Sequence, residues 1–137
     1  MRLEDWGRRL EAHIMAFRDA PFVWGQHDCC TFAAGCVEAV TGVDPMEPLY
    51  GLYDDRRSAV RIIRGHGGLA KFVDRVLQCE GFGMTSAPCL MRGDVCMVRH
   101  DRSRICGVVL GSDVIVPGLS GLMAISRDAV MAGWRIH

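Results

Sequence analysis

The apolar pattern of this chain changes its period part-way along, and that change restricts the folds open to it. Up to about Cys79, apolar residues recur every three or four positions, the spacing of one helix face. Leu3, Trp6, Leu10, Ile14 and Phe17 form the first such stripe, which Pro21 ends. Cys29, Phe32, Ala33, Cys36, Val37 and Val40 form the second. Stretches 54–64 and 69–77 predict two more helices, parted by His66-Gly67-Gly68. Beyond Cys79, Gly81, Gly83 and Pro88 predict a loop. Short β-like runs follow at 94–98, 105–110, 114–116 and 122–125, separated by Gly, Asp, Ser and Pro. Residues 126–131 predict one helical turn and 134–136 a last strand. Helices first and antiparallel strands second make an α+β fold. With 137 residues and no repeat, low-complexity tract or linker, the expectation is a single domain over 1–137.

Charge narrows the partners. Sixteen basic residues balance sixteen acidic ones, so no positive excess points to nucleic acid. Arg56, Arg57, Arg61 and Arg64 cluster locally and read as a solvated helix face. No apolar run has the length to span a bilayer, so no membrane insertion is expected. The first ten residues are too charged for a secretory leader. The chain is therefore expected to be made in a reducing cytoplasm, where its seven cysteines would stay mostly thiols. There is no Cys-x-x-Cys pair and no closely spaced His pair, so no metal or other cofactor is expected. Most of the cysteines read as small core hydrophobes.

The sharpest local feature is Phe22-Val23-Trp24-Gly25 followed by His27-Asp28-Cys29-Cys30-Thr31-Phe32. Asp28 is suited to cap a helix that would run to Gly42, a C-cap glycine. Cys29 would then open that helix, where free amide groups and the helix dipole favour a thiolate. A thiolate is the nucleophile of cysteine hydrolases. Cys30 would point about 100° away round the helix, so the two cysteines are expected not to share a role. The plainer reading of Cys29 is a core cysteine.

These residues resemble the NlpC-type, papain-like cysteine peptidases. That family carries Tyr/Phe-x-Trp-Gly, then Asp-Cys-Ser-Gly-Phe opening a helix. Phe22, Trp24, Gly25, Asp28, Cys29 and Phe32 match in order, with Cys30 and Thr31 in place of Ser-Gly. Gly93-Asp94-Val95 resembles the family's Gly-Asp-hydrophobic strand start. Ile105-Cys106-Gly107-Val108-Val109-Leu110-Gly111 resembles its His-Val-Gly-Ile-x-Leu-Gly return. The resemblance implies a nucleophile at Cys29, flanked by Trp24 and Asp28, with Ile105 standing where the base histidine belongs. The orienting residue is also missing, because Val114-Ile115-Val116-Pro117 offers no polar side chain. Ile105, Val114 and Val116 would leave an apolar groove.

The chain is more similar still to small uncharacterised proteins encoded in phage and prophage tail regions. The shared features are the Trp-bearing first helix, Pro-Phe-x-Trp-Gly-x-His-Asp-Cys, Thr41-Gly42-Val43-Asp44-Pro45, Gly121-Leu122 and the terminal Trp134-Arg135. That similarity implies other phage-tail proteins as partners and residence in the virion tail, after synthesis in the host cytoplasm.

One histidine is a candidate replacement base. If Arg102-Ser103 is the tip of a two-residue hairpin, His100 pairs with Ile105, and directly opposed side chains share a sheet face. Otherwise His100 is an exposed turn residue beside Asp101. His27 closes a loop, His66 lies among glycines, His13 is on the first helix and His137 is terminal. Three functions compete. The first is a tail accessory or structural subunit, weak or inactive as a hydrolase. The second is a peptidoglycan-cleaving endopeptidase or amidase using Cys29 and His100. The third is a metal module built on the spare cysteines.

Overall fold

The computed structural model describes all residues 1–137. The helices α1 (Trp6–Phe17), α2 (Cys29–Thr41), α3 (Arg56–Gly65) and α4 (Leu69–Gln78) come first. Six strands follow: β1 (Met84–Thr85), β2 (Val95–His100), β3 (Ser103–Val109), β4 (Asp113–Pro117), β5 (Leu122–Ser126) and β6 (Val130–Trp134). They form one sheet in the order β1-β6-β2-β3-β4-β5, antiparallel at every pairing. The α+β expectation holds.

α2 is the central helix. Asp28, extended at φ −120°, caps it, and Gly42 ends it in the left-handed region at φ 86°. Its buried face of Phe32, Ala33, Cys36, Val37 and Val40 packs with Val95, Met97, Cys106 and Val108 of the sheet and with Leu10, Phe72 and Trp134. Burying a side chain such as Phe32 contributes roughly 1.5–3 kcal/mol. The other face of the sheet holds a smaller core of Leu90, Cys96, Val98, Val109, Val114 and Val116, with Ile105 packed against it. Alternation along the strands separates the two cores. β6 changes face within its length: Met97 pairs with Ala132 and Val98 with Val130, so Met131 is the extra residue of a bulge.

Several expectations are corrected. The β2–β3 hairpin turns at Asp101-Arg102, both at positive φ (49° and 65°), and not at Arg102-Ser103. Two left-handed residues give a two-residue turn whose twist matches that of the strands. His100 consequently pairs with Ser103, and Ile105 with Val98. The expected loop near Gly83 holds the short strand β1, which pairs with β6. The turn expected at 126–131 shrinks to a 3₁₀ turn at Arg127–Ala129, and the last strand runs Val130–Trp134. Leu3 precedes the first helix and bonds its amide to the Val40 carbonyl.

Asp94 fastens the start of the sheet to both ends of the chain. It is fully buried and accepts from the amides of Met91 (2.8 Å) and Ile136 (2.9 Å) and from the Arg2 guanidinium (3.0 Å). The Gly-Asp pair at the head of β2 is thus a structural tie.

Candidate functional site

The site is set by how tightly Asp28 is held. Its Oδ1 accepts from the Thr31 amide (2.9 Å), and its Oδ2 accepts from the Gly25 amide (2.9 Å) and the Tyr53 hydroxyl (2.6 Å). The Thr31 hydroxyl accepts from the Asp28 amide at 2.8 Å, which completes a reciprocal capping box. One buried carboxylate therefore locks the helix start, the Trp24-Gly25 turn and Tyr53 together. Gly25 sits at φ 81°, and a Cβ there would collide with the Tyr53 carbonyl oxygen. The turn accordingly demands glycine.

Cys29 is the first residue of α2 and is partly exposed. It lines a cleft of about 30 Å³ with Trp24, Asp28, Cys30, Tyr53 and Phe72. The sheet residue that meets it is Cys106 of β3. Hydrogen bonding from Cys106 holds the Cys29 thiol well below its ordinary value; Cys30 adds a second thiol contact, and the Cys106 and Cys30 amides help, against the cost of burial. Cys30 and Cys106 are pushed the other way, Cys30 by hydrogen bonding with Cys106 and Cys29 and Cys106 by hydrogen bonding with Cys29, with burial adding to both. Cys30, expected to point away from Cys29, lines the same cleft.

Ile105 is not the residue facing Cys29. It packs on the opposite face of the sheet, with Val98 and Val109. Val114 and Val116 are fully buried on that face too, so the three line no groove beside Cys29. His100 follows Cys96 and Val98 by parity, which also directs it away from α2. Its Nε2 lies 3.3 Å from Asp101, and its side chain is 39% exposed. The structure therefore does not bring His100 to Cys29. None of the five imidazoles lines either apolar cleft at the head of α2. Trp24 and Asp28 do flank Cys29. Sequence reasoning missed Tyr53, Cys30 and Cys106. For Cys106 the only signal was its place next to a glycine in an otherwise apolar strand.

A second polar feature lies where α1 crosses α2. His27 stacks on Phe17 (4.8 Å between ring centres) and meets Phe32 edge-on, while His13 stacks on Phe32 at 5.4 Å. A Cβ on Gly35 would come within 2.6 Å of His13 Nε2, so the glycine makes room for the ring. The Nε2 atoms of both histidines are buried without a hydrogen-bond partner. Burial lowers the pKa of both rings from the ordinary 6.5, which keeps them neutral. No group of three or more His, Cys, Asp or Glu side chains is arranged to hold a metal ion. No helix is long and apolar enough to cross a membrane.

No curated protein matches the chain, and no solved structure does. A family model for a domain of unknown function matches residues 1–136, and the chain belongs to that family, DUF6950.

Proposed function

We propose that the protein is an accessory or structural subunit of a phage or prophage tail, built on a degenerate papain-like, NlpC-type frame and weak or inactive as a hydrolase. One observation carries the second half of this reading. The side chain meeting Cys29 from the sheet is a thiol, Cys106, and no imidazole lines the cleft. A positioned general base is worth roughly 10²–10⁴-fold, and a thiolate without one has no proton to give the leaving amine. A helix that starts on a cysteine and packs on an antiparallel sheet supports the frame. The sequence similarity to tail-region proteins supports the location.

Protein partners suit the surface. Arg56, Arg57, Arg61 and Arg64 lie exposed on α3, and none of them enters an ion pair. A patch of this kind on a chain with no net charge offers an acidic protein surface a local target. The test has two arms. Purified particles are analysed by mass spectrometry for this chain, and purified protein is incubated with peptidoglycan beside Cys29→Ala. The chain present in particles, with no cleavage above that of Cys29→Ala, supports the reading. Its absence from particles overturns the tail assignment, and cleavage that needs Cys29 overturns the loss of activity.

A further inference from the structure

Three thiols meet at the head of α2, and the hydrolytic reading gives two of them no use. Cys30 and Cys106 line one apolar cleft, and Cys29 and Cys30 line another beside Trp24 and Tyr53. The cluster thus sits where the two clefts adjoin, with Cys29 and Cys30 partly open to solvent. The other four cysteines have different surroundings: Cys36 and Cys96 are buried, and Cys79 and Cys89 are exposed.

We propose that Cys29 and Cys106 are the attacking and resolving thiols of a thiol–disulfide exchange site that takes small organic disulfides. The Cys29 thiolate attacks one sulfur of the disulfide RS–SR. A Cys29–SR bond forms, the RS–SR bond breaks, and RS⁻ leaves to take a proton from water. Cys106 then loses its proton to solvent, and its sulfur attacks that of Cys29. The Cys29–Cys106 bond forms as the second RS⁻ leaves and is protonated. In sum, one disulfide is reduced to two RSH and two protein thiols are oxidised to one disulfide. The shifts run in the same direction, with hydrogen bonding from Cys106 and Cys30 lowering the Cys29 thiol and hydrogen bonding with Cys29 raising that of Cys106. Cys30 is the poorer resolving partner. A bond between adjacent residues would force the intervening peptide out of the helix, against the Asp28–Thr31 box and the bond from the Phe32 amide to the Asp28 carbonyl. Cys106 comes from β3, so a bond to it leaves the first turn of α2 intact. The inference uses the same cysteine as the tail-subunit reading but does not rest on it.

The test treats reduced, folded protein with oxidised glutathione at pH 7, quenches with acid, alkylates the remaining thiols and maps the peptides by mass. Cys29 should be captured at least about tenfold faster than the exposed Cys79 and Cys89, in line with its larger thiolate fraction. A linked Cys29–Cys106 peptide should then accumulate with release of two glutathiones. Cys106→Ser should stop at a mixed disulfide on Cys29, and Cys29→Ser should yield no link. Cys106→Ala provides a second variant, and if neither Cys106 variant folds, the wild-type peptide map decides. Faster capture at Cys79 or Cys89, or a Cys29–Cys30 link in place of Cys29–Cys106, overturns the proposal.

Discussion

Two helices of this protein begin in the same way and end up with different chemistry. α2 starts Asp28-Cys29-Cys30-Thr31, and α3 starts Asp55-Arg56-Arg57-Ser58. In both, the aspartate accepts from the third amide of the helix and the hydroxyl at that position accepts from the aspartate amide. Asp55 is exposed, and its carboxyl is lowered by the Ser58 hydroxyl and amide. Asp28 is 2% exposed and also binds Gly25 and Tyr53. Four residues in, α2 has Phe32 and α3 has Ala59. A capping box therefore makes a helix start and not a site. The site arises where the start is buried against a strand that brings its own reactive side chain.

The largest effect should come from that fourth position. Phe32→Ala removes a nearly buried ring from the main core and should cost about 3–5 kcal/mol. Ala59→Gly in α3 should cost only about 1 kcal/mol. Urea denaturation of the two variants measures the contrast, and equal losses would break the comparison. The caps come next. Asp28→Ala strands the Thr31 and Gly25 amides and the Tyr53 hydroxyl, and should cost about 2–4 kcal/mol, clearly more than Asp55→Ala.

Mild acid should act first on the buried side of α2, and the Asp55 cap of α3 should yield only in the carboxylate range. His13 and His27 have lowered folded pKa values, so the unfolded chain takes up their protons first. The stability they confer is full above the unfolded value near 6.5 and is lost as pH falls below it toward the lowered folded values. A nearby carboxylate opposes this at each ring, Asp44 at His13 and Asp28 at His27. Melting temperature should therefore fall below pH 6.5, and His27→Gln should flatten the fall; an unchanged slope would locate the acid sensitivity elsewhere. The smallest effect belongs to His100→Ala. It should leave stability within about 0.5 kcal/mol and leave the alkylation rate of Cys29 unchanged, whereas Cys106→Ala should shift that rate profile to higher pH. A slower Cys29 in His100→Ala would put the imidazole back in the site.

The helices were legible because their signals are local. A cap, a stripe of period 3.6 and a terminating glycine all lie on one short stretch of chain, and Asp28, Phe32 and Gly42 play the parts that pattern assigns. The face of β3 was not legible. Residues 105–110 are apolar on both sides because both faces of the sheet are covered, so no alternation marks which side meets α2. The family resemblance placed Ile105 at the base position, whereas Cys106 is the residue on the face toward α2. The hairpin tip was misplaced by one residue because Asp101-Arg102 lacks the glycine that usually marks such turns. Tyr53 was out of reach for another reason: its bond to Asp28 depends on how a loop folds back over 25 positions of sequence.

The two ends of the chain also meet. The Met1 amino group donates to the His137 carbonyl at 2.7 Å, and Arg2 spans from the Ile136 carbonyl to Asp94. A short peptide could join residue 137 to residue 1, and the ring could be reopened at the exposed turn by Leu52. Such a circular permutant would keep every strand pairing while turning the most distant contact in the sequence into a neighbouring one.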